Sequence, residues 1–345
     1  MAGNTKLKGI AWDHPRGYEP LRAVSKEFTE LYPNVEVDWG VRTLQEFGDM
    51  PVEHLIEIYD LITIDHPFMG QADADKLLLP LEEFISDAVL QELSDQSVGP
   101  SFGTYRYQGH QYALPIDAAA QVAAFRGDLL SKLGLRVPRT QSELRSFYKK
   151  IPKGYSVAWP MCATDLWCSF LTLCAQKSGR DFIKDFKIEM EAGVHSLDQL
   201  KYHLEKVHPE SLNWNPIQTL DRMGNTDEII YAPYLFGYTN YGRKEFVKNR
   251  ITFGHSPINP NLPISTILGG VGLAVSSKSN HAALASAFVA YVAVTGTQTK
   301  TYVRNGGQPG NLEAWKSKAN NQLCNHFFED TLETMEQAFV RPRHP

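Results

Sequence analysis

The first 110 residues alternate between two hydrophobic periods. Gly9-Ile10-Ala11-Trp12 is a short apolar run of strand length, and Leu21, Val24, Phe28 and Leu31 then recur at helical spacing until Tyr32-Pro33-Asn34 ends the repeat. Val35, Val37 and Trp39 alternate with Glu36 and Asp38, which predicts a strand with one polar face and places Trp39 in the core. A second helix is expected from about Leu44 to Tyr59, and Leu61-Ile62-Thr63-Ile64 reads as a buried strand. The order is β-α-β-α-β. Helical crossovers between short strands build a parallel sheet with helices on its faces, and such sheets hold ligands beyond the carboxyl ends of their strands.

Further along, a helical stretch is predicted over 78–93, followed by a Gly- and Tyr-rich segment over 99–112 and a crossing strand at Ala113-Leu114-Pro115-Ile116. A second block reaches to about Phe253, with helical patterns at 128–134, 141–151, 165–178 and 197–207. Pro257, Pro260 and Pro263 then cluster, as in a connection between lobes. A strand-like Gly272–Ser276, an apolar helix over 281–295, a loop at Asn305–Asn311 and a helical tail from about Asn321 to Phe339 complete the chain. These breaks place lobe crossings near 111–116 and 252–262. They assign 1–112 with 255–307 to an N-terminal lobe and 113–254 with 308–345 to a C-terminal lobe.

Length and composition narrow the class. A chain of 345 residues has room for two lobes, and 43% apolar with 11% aromatic residues excludes disorder, because enough surface can be buried to offset ordering entropy. The 34 basic and 39 acidic side chains give a charge of −5 without a basic cluster, which argues against nucleic acid as a partner. Membrane insertion is not expected: the most apolar run, 282–294, is interrupted by Ser286 and Tyr291 and falls short of the roughly 20 residues of a spanning helix. Met1–Lys8 holds two lysines and no apolar stretch. Two localisations follow: cytoplasmic if the chain is native as written, periplasmic or extracellular if a signal was removed. Cys162, Cys168 and Cys174 are six residues apart and Cys324 is distant, so separate, mostly buried thiols are expected rather than a zinc site. A monomer is expected.

Candidate chemistry gathers at strand ends. Asp13-His14-Pro15 ends the first predicted strand and Asp65-His66-Pro67 the third, where a parallel sheet presents its crevice. Asp and His there suit a hydroxylated or ionised ligand; alternatively, Asp and Pro merely end strands and start helices. Because each Pro holds the preceding His extended, one member of each Asp-His pair is expected to face the crevice. Arg42, after the second strand, falls on the same edge, where its planar fork suits a carboxylate. Trp12, Trp159 and Tyr238 are candidate aromatic walls, the latter two because Ala158-Trp159-Pro160 and Gly237-Tyr238-Thr239-Asn240 are turn-rich; core packing is the competing role for each. Gly99-Pro100-Ser101-Phe102-Gly103 matches the nucleophile elbow in letters, but polar residues precede it and no helical pattern follows. Gly269-Gly270-Val271-Gly272 lacks the third glycine and the order of a dinucleotide fingerprint, and no metal motif is present, so no cofactor and no metal are expected.

Taken in order, Tyr59–Asp65, Leu78-Leu79-Pro80-Leu81, Tyr107-Gln108-Gly109 leading to Tyr112–Asp117, Arg126–Leu130 and Gly269–Ser276 resemble the extracellular solute-binding proteins of family 1, the carbohydrate-type receptors of ABC importers. The resemblance covers nearly the whole chain. It implies an α/β, two-lobed periplasmic-binding-protein-like fold, each lobe a mainly parallel sheet flanked by helices, with a ligand cleft at the hinge. It also implies a small polar solute, a sugar or hydroxy acid, an ABC permease as partner, and Asp117 at the cleft. The ligand-binding set expected is therefore Trp12, Asp13, His14, Arg42, Asp65, His66, Asp117, Trp159, Tyr238 and Gly270. The alternative is a cytosolic enzyme on the same scaffold, with Asp13, His14, Asp65 and His66 in acid-base or metal-assisted roles, since fold alone does not choose between the two.

Overall fold

The structure is a computed structural model that describes residues 5–262 and 266–343. Pro263 of the proline cluster and the first four residues of the N-terminal reading lie outside the described residues. Twelve strands follow in chain order among the described residues: β1 (Thr5–Trp12), β2 (Val35–Arg42), β3 (Leu61–Ile64), β4 (Arg106–Tyr107), β5 (His110–Gln111), β6 (Ala113–Phe125), β7 (Ser156–Val157), β8 (Ile183–Lys184), β9 (Lys187–Ile188), β10 (Ile229–Phe236), β11 (Thr252–Gly254) and β12 (Leu268–Val275). The chain divides into two compact units. Unit 1 comprises residues 1–118, 269–320 and 341–345, and unit 2 comprises 119–268 and 321–340. The divisions thus fall at 118/119 inside β6, at 268/269 at the start of β12, and at 320/321 and 340/341 in the tail, whereas composition suggested 112/113, 254/255 and 307/308. A continuous strand rather than a break in composition spans the first two of these divisions, and β6 carries Asp117 and Gln121 among its apolar residues.

In unit 1 the strand order is β2-β1-β3-β12-β6, with β1 parallel to β2 and β3, and β12 antiparallel to β3. The connection from β1 to β2 is α1 (Pro15–Leu31). That from β2 to β3 is two short helices, α2 (Leu44–Asp49) and α3 (Val52–Ile56), rather than one. Pro51 divides them: it has no N–H to donate and holds Met50 extended, at φ −75° and ψ 127°. Each face of the sheet is covered. Leu7, Ala11, Leu61 and Leu273 pack against Leu21, Val24 and Phe28 of α1 and Phe288 and Val289 of the helix Ala282–Ala293, while Ile10, Ile62 and Ile64 pack against Val52, Leu55 and Ile56 of α3. Burying a side chain of this size contributes about 1.5–3 kcal/mol. Trp39 lies in the first of these cores, donating its Nε1–H to Ser25 Oγ at 2.9 Å, and its ring fills the space a Cβ on Gly9 would occupy, 2.5 Å away.

In unit 2, β10 lies between β6, to which it is antiparallel, and β7, to which it is parallel; β11 also pairs with β6. The helix Ala163–Ser178 begins just after Cys162 and carries Cys168 and Cys174. All four cysteines are free thiols, and Cys168, Cys174 and Cys324 are buried. The stretch expected as one helix over 78–93 is a 3-10 turn, Leu81–Glu83, and a helix, Asp87–Asp95. The tail helix breaks at Asn325 and His326, which take positive φ of 54° and 64° between helices Lys318–Leu323 and Phe327–Glu336. Among the described residues no single helix is long and apolar enough to cross a membrane; Ala282–Ala293 with the bent continuation Thr295–Tyr302 passes only as a pair.

Candidate functional site

Parallel pairing brings the carboxyl ends of β1, β2 and β3 to one edge of unit 1, and both Asp-His-Pro tripeptides stand there as helix starts. His14 caps α1: its Nδ1 accepts the Arg16 N–H at 3.0 Å, which leaves the ring proton on Nε2, and Pro15 takes the first helical position. Asp65 Oδ1 accepts the His66 N–H at 2.9 Å, opening the 3-10 turn His66–Phe68. Capping chemistry is thus real at both sites. In each pair the histidine is the buried member: Asp13 is exposed, while His14 and His66 are not.

Capping places Arg16 in the first turn of α1, where its guanidinium meets Asp117 of β6. Nε donates to Oδ2 at 2.8 Å and Nη2 to Oδ1 at 2.6 Å, and the two side chains are only 4% and 0% exposed. Burial pushes the Asp117 carboxyl up, and the guanidinium draws it back only in part. Tyr302, fully buried and within electrostatic reach of both, completes no hydrogen bond through its hydroxyl. Burial also drives the His14 imidazole down, to about 3, so it is neutral at neutral pH.

Asp65 is paired by a residue far away in sequence. Arg341 Nη2 donates to both carboxylate oxygens at 2.7 Å, and the neighbouring Arg343 donates Nη1 to the carbonyls of Gly103, Thr104 and Arg106. Although burial opposes it, Arg341, with help from His66, holds the Asp65 carboxyl well below the usual range. His66 is fully buried, with its Nδ1 3.2 Å from Asp65 Oδ1 but too poorly aligned to bond, so neither ring nitrogen completes a hydrogen bond. Burial and the Arg341 charge bring its pKa down to about 4 against the pull of Asp65. The ring of Tyr105 meets His66 edge-on at 6.3 Å, and its phenol is raised by burial and by the charges of Asp65 and Asp117, which ties the two carboxylates to one neighbourhood.

The third group rests on strand register. Trp12 and Arg42 are paired positions at the ends of β1 and β2, and both reach Phe47: the ring centroids of Trp12 and Phe47 are 5.7 Å apart, and the Arg42 Cζ lies 5.1 Å over the Phe47 ring. Arg42 Nη2 donates to the Thr63 carbonyl at 2.7 Å. Gly270, at φ 120°, uses backbone that side chains rarely adopt.

Two candidates belong to unit 2. Trp159 is not an exposed wall: it is fully buried, donates Nε1–H to Ser169 Oγ at 2.8 Å and stacks on Tyr234 at 4.7 Å, so the core role holds. Tyr238 is 5% exposed and meets Tyr241 edge-on. Ser101 starts a four-residue helical turn after Pro100, with no strand before it, and is not a nucleophile elbow. No group of three or more His, Cys, Asp or Glu side chains among the described residues is placed to hold a metal ion. Sequence reasoning missed Arg16, Tyr105, Tyr302 and Arg341. Arg16 carried a local signal, two residues past a capping His, but the other three become neighbours only through the fold.

The family described as bacterial extracellular solute-binding protein matches residues 11–299, and the chain belongs to it. A maltotriose-binding protein of Pyrococcus abyssi is 23% identical over 266 residues, covering 73% of this chain, so the chain spans about half (54%) of that relative's length. Among solved structures, maltose-bound T. maritima MalE3 superposes with a TM-score of 0.83 at 19% identity, covering 98% of this chain and 90% of that one. An ABC transporter solute-binding protein from Agrobacterium radiobacter K84 in complex with ribitol gives 0.82 at 20% identity, with 99% and 90% covered. At these identities the likeness carries the fold, two α/β lobes of the solute-binding type, which is the fold class the sequence implied.

Proposed function

We propose that this chain is the receptor for a small hydroxylated solute, a sugar or a hydroxy acid, delivered to an ABC-type permease. The observation that carries the reading is His66: a fully buried, neutral imidazole whose two ring nitrogens complete no hydrogen bond, at the strand edge where such sheets hold ligands. A neutral imidazole has one donor and one acceptor, which is what a hydroxyl requires. His14 adds a second neutral ring with its proton on Nε2. Asp13, Asp65, Trp12 and Arg42 surround them on the same edge, and Asp117 acts through Arg16. Gly270 completes the proposed set. Family membership supports the transport role, and the ligands named for the relatives, maltotriose, maltose and ribitol, are all polyhydroxylated.

Titration calorimetry against sugars, polyols and hydroxy acids tests the reading. One class is expected to bind, and His66→Ala is expected to weaken it by about 1–3 kcal/mol, the cost of a lost buried hydrogen bond, with the circular dichroism unchanged. Binding that is indifferent to His66→Ala refutes the site, and a panel in which nothing binds refutes the function.

A further inference from the structure

The charges at this strand edge do not balance. Three other buried or nearly buried arginines face a carboxylate: Arg16 faces Asp117, Arg126 faces Asp128 and Asp227, and Arg341 faces Asp65, whereas Arg243 of unit 2 meets the Cys324 thiol. Arg42 is 6% exposed and donates to a neutral carbonyl, that of Thr63. The nearest acid to act on it is Glu46, whose carboxylate is exposed and is engaged by the N–H and hydroxyl of Thr43 in a capping box. Buried charges in proteins are normally paired, because desolvation is costly and a neutral acceptor recovers only part of it. Arg42 shows the strain of its position: burial brings its pKa down to about 10.

A second observation is independent of charge. The Nε–H of Arg42 and the Nε1–H of Trp12 are both buried donors without a hydrogen-bond partner. Trp12 and Arg42 are register partners on adjacent parallel strands, which puts their side chains on the same face of the sheet, and both rest on the ring of Phe47. Two unsatisfied donors, one uncompensated positive charge and an aromatic wall thus occur together at the ends of β1 and β2. Each unsatisfied buried donor costs stability unless something accepts from it.

We infer that Trp12 and Arg42 form a subsite for a carboxylate carried by the hydroxylated ligand, so that the solute class is an acidic sugar, a uronate or aldonate, rather than a neutral one. The inference rests on the solute-receptor reading above and narrows it. One carboxylate oxygen accepts from Arg42 Nε and its neighbour from Trp12 Nε1. A single negative charge matches the one guanidinium of this subsite, which favours a carboxylate monoanion over a phosphate dianion. His14 and His66, both neutral, then meet the hydroxyl groups.

The test is calorimetric titration of the full chain with D-glucuronate, D-galacturonate and D-gluconate beside D-glucose, D-galactose, ribitol and D-glucose 6-phosphate at neutral pH. At least one acid is expected to bind at least tenfold more tightly than its neutral parent. Arg42→Gln is expected to erase that advantage, and Trp12→Phe, which keeps the ring and removes the donor, is expected to weaken the acid severalfold. The ligand-free Tm of Arg42→Gln is expected to be unchanged or higher, because an uncompensated buried cation has gone; a fall of the Tm would mark Arg42 as structural and overturn the subsite. A neutral parent that binds as tightly as its acid, or an acid preference that survives Arg42→Gln, overturns the inference and leaves the solute reading standing. Preference for the sugar phosphate overturns the carboxylate assignment. If no member of the panel binds, the solute reading itself falls and the inference with it.

Discussion

Replacing Arg16 by Met isolates the most deeply buried ion pair among the described residues of unit 1. The guanidinium and the Asp117 carboxylate are joined by two hydrogen bonds of 2.8 and 2.6 Å, with side chains 4% and 0% exposed, so neither charge has water as an alternative partner. Removing one member of such a pair leaves the other buried and unpaired, at a cost of about 3–5 kcal/mol. For a unit of this size each kcal/mol moves the midpoint by about 2–4 °C, so a fall on the order of 10 °C is expected. The remaining carboxyl, with burial unopposed, should also take up a proton at higher pH than in the parent protein. Arg16→Met/Asp117→Leu removes both charges and is expected to return to within about 1 kcal/mol of the parent or to exceed it. Differential scanning calorimetry on the two single variants and the double variant gives the cycle directly and keeps separate melting of the two units visible. A single-variant loss below about 1 kcal/mol, or a double variant that loses the sum of both singles, would refute the argument that the pair is energetically closed on itself.

The buried histidines set the acid limit. The unfolded chain protonates them near 6.5, whereas the folded chain holds His66 neutral to about 4 and His14 to about 3; the unfolded state therefore binds more protons below 6.5, and stability is full above that pH and falls as pH drops through 6.5 towards 4. Each contributes roughly 3 kcal/mol of loss, so urea midpoints should decline steadily from pH 6.5 to 4, and a flat profile contradicts the burial argument. Arg341→Ala leaves Asp65 without its bidentate partner; because that carboxylate is 16% exposed the loss is expected to be nearer 2 kcal/mol, largely recovered in Arg341→Ala/Asp65→Asn, and an unshifted melt would deny the pair a role. Gly272→Ala would set a Cβ 2.5 Å from Tyr105 Cε1 and 2.8 Å from the Ala113 Cβ, and such overpacking should cost about 1–3 kcal/mol on the same melting assay; an unchanged midpoint would show that Tyr105 yields freely.

What the sequence determined by itself was whatever depends on neighbours within a turn or two. The alternation at β2 announced Trp39 as core, the apolar run at β3 announced a strand buried on both faces, and His14-Pro15 and Asp65-His66-Pro67 announced helix starts, because capping and periodicity are read over a few residues. From those elements the edge carrying His14, Arg42 and His66 followed, since parallel strands end together. The tertiary structure decided which charges meet. Asp117 is 101 residues from Arg16, and Asp65 is 276 from Arg341; topology chose those partners and left Arg42 without one. Trp159 shows the converse: its Ala-Trp-Pro setting reads as a surface turn, and only the return of Ser169 and Tyr234 buries it. The boundary between the units was likewise unmarked along the chain, because it falls inside one continuous strand, β6, and a division between bodies is a property of contacts rather than of composition.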